Sequence, residues 1–324
     1  MRAVRAMILA AGYGTRMHPL TSLRAKPALP VRGRPVISLL LAFLARHGVR
    51  EVMINLHHRA ESLREAVEAD HPDSLEICWS EEPRPLGTGG GVRRAADFLR
   101  GSETCVVLAG DMLIDFDLEA LATRHRRSGR AATLVLREDP RMGAFGSIGL
   151  DASGRLARIG PDPPIGDERR AGLFTGIRFF SREVLDHWPD RDVFEDLRDW
   201  LVPAMKDHGL GVGGEVALPG QSVWEPVGTP DEYLHVNLEP PSLPSLGGSV
   251  EHWSGEIRVV GDGEDVLLGR KAVMGEGAHL DHAVVWEGEE VPAGLQRSFG
   301  VFAGGTFHSC RTAGAGLADR RSTA

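Results

Sequence analysis

Over its first two-thirds the chain alternates short apolar runs with amphipathic segments. Val4–Leu9 (VRAMIL) reads as a strand, Pro35–His47 (PVISLLLAFLARH) as a helix with proline near its start, and Glu51–Leu56 (EVMINL) as a second strand. Ala60–Asp70 has helical spacing, Leu75–Trp79 is strand-like and Gly91–Leu99 is again helical. Thr104–Gly110 (TCVVLAG) is a continuous apolar run between polar residues, the mark of a strand buried on both faces. Asp117–Ser128 and Ala131–Leu136 repeat the helix–strand alternation. The pattern predicts an α/β fold, a mostly parallel, Rossmann-like sheet flanked by helices.

Near residue 240 the texture changes. Glu239–Ser249 (EPPSLPSLGGS) is rich in proline, serine and glycine and reads as an interdomain linker. Beyond it the helical period gives way to hexads, LGRKAV, MGEGAH, LDHAVV and WEGEEV, starting at Leu268, Met274, Leu280 and Trp286. Such hexads are the signal of a parallel β-helix; a small irregular β domain is the alternative. The division expected is 1–238, a linker over 239–249, a β-helix-like unit over 250–310 and a disordered, arginine-rich tail over 311–324.

Composition narrows the class of partner. The chain of 324 residues has 42% hydrophobic and 25% charged residues, ordinary for a globular protein. A net charge of −8 argues against nucleic acid or an anionic membrane as the main partner, while leaving room for a local basic site. Cys78, Cys105 and Cys310 are widely spaced and odd in number, which fits a reduced compartment and no CxxC metal site. No HxH or HExxH spacing occurs among the 13 histidines, and His57–His58 reads as a solvated loop pair. Arg2 and Arg5 before AMILAA resemble the start of a signal peptide, but the apolar run is too short and leads into a charged loop. No apolar stretch approaches membrane-spanning length. The expectation is a cytoplasmic, soluble protein.

Candidate chemistry begins where the first strand ends. Gly12 and Gly14 are followed by Thr15, Arg16 and Met17, without the third glycine of a dinucleotide fingerprint and without the GK[ST] of a P-loop. Arg16 and, ten residues on, Lys26 supply cations instead. Glycine backbone amides with nearby Arg and Lys suit a phosphate that gains charge during phosphoryl or nucleotidyl transfer. A tight strand–helix turn with two solvated cations is the plainer alternative.

The stretch Leu9–Val31 (LAAGYGTRMHPLTSLRAKPALPV) closely resembles the signature of the sugar-1-phosphate nucleotidylyltransferases. Glu82–Val92 (EPRPLGTGGGV), Val106–Leu118 (VVLAGDMLIDFDL), Leu173–Ser181 (LFTGIRFFS) and Val223–Asn237 (VWEPVGTPDEYLHVN) agree with the family in order and rough spacing, so the resemblance spans roughly residues 4–238. The hexad region resembles the short left-handed parallel β-helix appended to many members, including mannose-1-phosphate guanylyltransferases. The resemblance implies an enzyme that joins an NTP to a sugar 1-phosphate, releasing pyrophosphate. By motif match, Leu9, Ala10 and Ala11 would bind the nucleotide, and Gly12, Gly14 and Thr15 would wrap the triphosphate with backbone donors. Arg16 would hold the leaving pyrophosphate, and Lys26 would stabilise the α-phosphate. Asp111, at the carboxyl edge of a buried strand, would coordinate Mg²⁺. Pro85, Gly87, Thr88 and Gly89 match the loop that reads the nucleobase, and Gly146, Thr175 and Gly176 match the sugar pocket.

Two departures stand out. The family's late motif reads W-x-D-x-G-T with Asp as second metal ligand, and here WEPVGT puts Pro226 in that slot. Glu225 could serve only if the backbone is re-aimed. An E-K-P segment whose lysine grips the sugar phosphate is also missing near Arg155–Pro164, leaving Arg158 or Arg169 as electrostatic substitutes. GTP with mannose 1-phosphate is the expected pair, for cell-envelope or exopolysaccharide synthesis. The alternatives are a UTP-using enzyme for N-acetylmuramate or glucose 1-phosphate, and a non-catalytic nucleotide-sugar-binding regulator. A homo-oligomer is expected, because a β-helix often packs against its copy.

Overall fold

The computed structural model describes residues 4–218, 220–247, 258–260 and 266–310. The expected tail over 311–324, and residues 250–257 and 261–265 of the β-helix-like unit, lie outside the described residues.

Four strands, Glu76–Glu81, Glu51–Leu56, Val4–Leu9 and Thr104–Ala109, lie side by side and parallel. Each carries the apolar run read from the sequence, and Cys105 to Leu108 are buried throughout. The sheet then turns mixed. The long strand Arg170–Ser181 pairs antiparallel with Thr104–Ala109, with Ala132–Arg137 and with Ser147–Leu150. Val212–Ala217 adds a parallel edge beside Ala132–Arg137. The parallel centre agrees with the expected Rossmann-like sheet, and the antiparallel pairings of Arg170–Ser181 are the part that apolar runs alone do not announce. Thus the fold is mixed α/β with a parallel-rich centre.

Local signals place the helices closely. Val36–Arg46 begins after Pro35, and Leu118–Ser128 begins after Asp117, whose side chain accepts from Ala120 N at 2.9 Å. Pro230–Leu238 starts at Thr229, whose Oγ1 accepts from Glu232 N at 3.3 Å while Glu232 Oε2 accepts from Gly228 N at 2.7 Å. The proline-rich stretch after that helix docks on the fold: Leu243 is buried and Ser245 N donates to Asp115 Oδ2 at 2.7 Å.

The carboxy-terminal strands Val266–Leu268, His279–Val285 and Gln296–Ala303 stack in parallel, with Val266, Ala283 and Gly300 in register, each 17 residues after the last. Val273–Met274 and Glu290–Val291 form a second parallel pair. Leu268, Leu280, Val285, Val291 and Phe302 fill the interior. Trp286, at the start of the fourth hexad, instead joins the main core, where its Nε1 donates to Tyr233 Oη at 2.9 Å. The 17-residue step moves the inward position to Val285, leaving the largest side chain to attach this stack to Pro230–Leu238.

The thiols of Cys105 and Cys310 are pushed up to about 12 by burial, and the three cysteines are free. His125, on Leu118–Ser128, lies buried between Thr133 Oγ1 (2.8 Å) and Ser181 Oγ (3.1 Å). Burial first, then Arg126 and Arg130, lower its pKa from 6.5 to about 4. The folded protein therefore binds this proton less readily than the unfolded chain, so the stability it contributes is present above pH 6.5 and is lost as pH falls towards 4. His125→Gln is expected to remove roughly 2–3 kcal/mol of the loss between those limits, as measured by denaturant unfolding across pH. An unchanged pH profile would refute the assignment.

Candidate active site

Val4–Leu9 delivers the chain into Ala10–Gly14 at the carboxyl edge of the sheet, the position where open α/β sheets bind ligands. Gly14 has φ 62°, and a Cβ there would lie 2.8 Å from Thr21 Cγ2 and 3.2 Å from Lys26 Cβ. The loop can therefore close on the segment bearing Lys26 only with glycine at this point. Lys26 is buried, and its Nζ pairs with Asp111 Oδ2 at 2.6 Å. Asp111 sits between Thr104–Ala109 and Met112–Asp115, and its carbonyl accepts from Val227 N at 2.8 Å. Arg16 is exposed, with no side-chain hydrogen bond or ion pair among the described residues.

A cleft of about 410 Å³ is lined by Leu9, Ala10, Ala11, Gly12, Gly14, Thr15, Arg16, Lys26, Pro85, Gly87, Thr88 and Asp111. A larger cavity of about 540 Å³, between Ala60–Ala69 and the carboxy-terminal stack, contains none of these groups. Phosphate chemistry belongs in the smaller cleft, where the cations are.

The glycine run forms a helix, Gly87–Arg94, rather than a loop leading into one at residue 91. Its glycines have a packing reason: a Cβ at Gly87 would lie 2.5 Å from Phe194 O, and one at Gly89 2.5 Å from the Phe194 ring. Gly89 faces that ring and does not line the cleft, whereas Gly87 and Thr88 do.

Gly146, Thr175 and Gly176 do not line the cleft either. Thr175 is buried, donating to Val135 O at 2.8 Å, and its carbonyl accepts from Trp224 Nε1 at 2.9 Å. With Gly176 at φ 80° it fixes the irregularity in the pairing of Arg170–Ser181 with Ala132–Arg137.

Glu225 stands opposite Leu113 and does not line the cleft; its Oε2 accepts from Arg141 Nη1 at 2.7 Å. Burial works to raise the Asp139 carboxyl beside it, but hydrogen bonds and charge from Arg141 outweigh burial and hold it below the usual carboxylate range. Pro226 is buried opposite Met112. Arg158 is held bidentately by Glu168, at 2.6 and 3.1 Å, and Arg169 pairs with Asp167. Neither offers a free cation near Lys26.

Sequence reasoning passed over five residues of this region. Asn55 Oδ1 accepts from Ala10 N at 2.6 Å while its Nδ2 donates to Glu82 Oε1 at 2.7 Å, and Glu82 Oε2 accepts from Leu86 N at 3.0 Å. This chain fixes the glycine loop and the Pro85–Thr88 segment to each other. Arg178 and Glu195 line the cleft, and Asp196 pairs with Arg178. Asn55 and Arg178 were visible as polar residues interrupting apolar strands. Glu195 and Asp196 carried no such mark.

A family model described as "Nucleotidyl transferase" matches residues 5–241. The chain belongs to the nucleotidyl transferase family. It is 32% identical over 315 residues to a mannose-1-phosphate guanylyltransferase of Mycobacterium tuberculosis, covering 90% of this chain and 82% of that one. It is 32% identical over 219 residues to a UTP–glucose-1-phosphate uridylyltransferase of Synechocystis sp., covering 64% of this chain but only 56% of the relative's length. The solved structure of HddC from Yersinia pseudotuberculosis complexed with GMP-PN matches with a TM-score of 0.60 over 72% of this chain and 98% of that one. At 21% identity that likeness concerns the nucleotidyl transferase fold alone. Among the described residues no helix is long and apolar enough to cross a membrane.

Proposed function

We propose that this nucleotidyl transferase joins an NTP to a sugar 1-phosphate and releases pyrophosphate, with GTP and mannose 1-phosphate as the first pair to test. The observation that carries the proposal is the meeting of Arg16, Lys26 and Asp111 with the Gly12–Gly14 loop in one cleft. The name and 90% coverage of the mycobacterial relative support the GTP and mannose pair; the Synechocystis relative keeps UTP as the second base to test.

In this reading the sugar phosphate oxygen attacks the α-phosphorus in line, and the chain's work is positioning and charge stabilisation. Backbone amides of Gly12 to Thr15 hold the triphosphate. Arg16 takes the β- and γ-phosphates and steadies the leaving pyrophosphate. Lys26, pre-aligned by Asp111 at 2.6 Å, presents its ammonium to the α-phosphate as charge accumulates. Gly87 and Thr88 face the nucleobase. Gly146 and Gly176 border the sugar, with Thr175 shaping the strand behind them.

Among the described residues no group of three His, Cys, Asp or Glu is poised around an ion. A lone carboxylate still fits Mg²⁺, which keeps most of its ligands as water and substrate phosphate oxygens. Asp111 is the residue that would hold it, and the ion would supply charge neutralisation for the triphosphate. Glu225, neutralised by Arg141, is a poor second ligand. Pro226→Asp is therefore expected to preserve or raise turnover and to lower the Mg²⁺ concentration for half-maximal rate; loss of turnover in a folded variant would refute this account of the slot.

The wider reading takes residues 1–238 as the catalytic unit and the stacked strands Val266–Leu268, His279–Val285 and Gln296–Ala303 as part of a short left-handed β-helix. It places the enzyme in the cytoplasm, as a homo-oligomer serving cell-envelope polysaccharide synthesis. The test is pyrophosphate release from four NTPs against several sugar 1-phosphates with Mg²⁺. Thermal stabilisation by an NTP without turnover for any pair would favour the regulatory alternative.

A further inference from the structure

Arg178 breaks the apolar pattern of Arg170–Ser181 and is almost wholly buried, as is its partner: the two side chains are 4% and 5% exposed, with Arg178 Nε 2.5 Å from Asp196 Oδ2. Among the described residues neither of those two atoms has a partner in hydrogen-bond geometry. A buried ion pair is costly, and apolar residues of similar volume often stabilise a fold as well or better. Fold stability alone therefore does not account for this one.

Its surroundings supply a reason. Arg178 Nη1 donates to Gly176 O at 3.0 Å, on the turn assigned above to the sugar. Asp196 N donates to Thr88 Oγ1 at 2.9 Å, and Asp196 Oδ1 lies 2.8 Å from the same hydroxyl, on the segment assigned to the nucleobase. Glu195 Oε2 stands 2.7 Å from Thr88 Oγ1 as well. A hydroxyl has one proton, so Thr88 can donate to only one of these carboxylates at a time. Asp196 also opens the π-helical turn Asp196–Leu201, against which Gly87–Arg94 packs. The pair thus links the Thr88 segment, which lines the cleft, to the Gly176 turn beside it.

We propose that Arg178 and Asp196 form a positioning pair that ties the base-side segment at Thr88 to the sugar-side turn at Gly176, holding the two halves of the site at one spacing. The pair acts through Thr88 and Gly176 and takes no part in the bond exchange. With Arg178 pairing Asp196, the Thr88 proton is free to go to Glu195 or Asp196 as the bound base requires. Loss of Arg178 leaves Asp196 buried and unpaired, so that it competes for Thr88, and loss of the Asp196 charge leaves the Arg178 guanidinium buried and unpaired behind Gly176. The inference rests on the function proposed above.

The test compares wild type with Arg178→Met, Arg178→Lys, Asp196→Asn and the double variant Arg178→Met/Asp196→Leu. Melting temperature, GTP and UTP binding by calorimetry without sugar phosphate, and KM and kcat for both substrates are measured. Arg178→Met and Asp196→Asn are expected to weaken binding of the preferred NTP about tenfold or more and to raise the sugar 1-phosphate KM, with kcat falling less. The double variant, with no charge left buried, is expected to recover the melting temperature but not the affinity. Arg178→Lys should recover part of the affinity. A double variant that recovers both stability and affinity would overturn the proposal, as would single variants that bind like wild type. If wild type binds neither GTP nor UTP, the functional assignment itself falls; binding without the pair's influence sinks only the positioning role.

Discussion

Replacing Asp111 with alanine is expected to lower kcat for nucleotidyl transfer by about 10²–10³-fold, an effect of the size seen when one preorganised group that stabilises transition-state charge is removed. Two functions fail together. The variant loses the carboxylate suited to Mg²⁺, and Lys26 loses the partner that aligns it at 2.6 Å. Lys26 is the more enclosed member, 10% exposed against 36% for Asp111, so the freed ammonium is left in a partly desolvated pocket. Solvent screening at Asp111 limits the stability cost to roughly 1 kcal/mol, far less than the activity lost. Lys26→Met should match the catalytic loss. Because both residues serve one step, the double variant should be little worse than either single one. Rates of pyrophosphate release, with melting curves alongside, decide the matter: an Asp111→Ala enzyme with wild-type rate would refute the assignment of the ion pair to catalysis.

The second large effect is structural. Gly87→Ala is expected to destabilise the protein by about 2–5 kcal/mol, from a strained positive φ together with an overpacked contact. Gly87 has φ 76°, and its Cβ would lie 2.5 Å from the Phe194 carbonyl, a backbone atom that cannot swing aside. The helix Gly87–Arg94 would be forced off the Phe194–Asp196 segment, carrying Thr88 with it. NTP binding should therefore weaken along with stability. Gly143→Ala is the control, since a Cβ there meets nothing within 4 Å and the backbone is not in the positive-φ region. Its expected change is within about 0.5 kcal/mol. Equal melting temperatures for the two variants would show that the contact at Phe194 is not rigid.

The two predictions differ in how far the sequence announces them. Asp111 ends an apolar run that could only be a buried strand, so its place at the carboxyl edge of the sheet followed from pattern alone. Gly87 was equally visible, but its reason was not. Its contact lies 107 residues away at Phe194, in a segment with no distinctive pattern. The same separation hid Glu195 and Asp196. Pro226 shows the opposite case: the sequence exposed a missing oxygen, and only the strand pairing showed the neighbouring Glu225 turned to Arg141.

By itself, the sequence determined the parallel centre of the sheet, the helix starts near Val36, Ala60 and Leu118, the glycine loop with its Arg16 and Lys26, and the carboxylate at Asp111. All of these rest on short-range physics: side-chain period, capping and backbone freedom act over a few residues. The tertiary structure decided the antiparallel half of the sheet, the 17-residue step that turns Trp286 outward, the seclusion of Glu225 and the pairing of Arg178 with Asp196. Each of those depends on which distant surfaces meet, and contact energies between distant segments leave no period in the chain to be read.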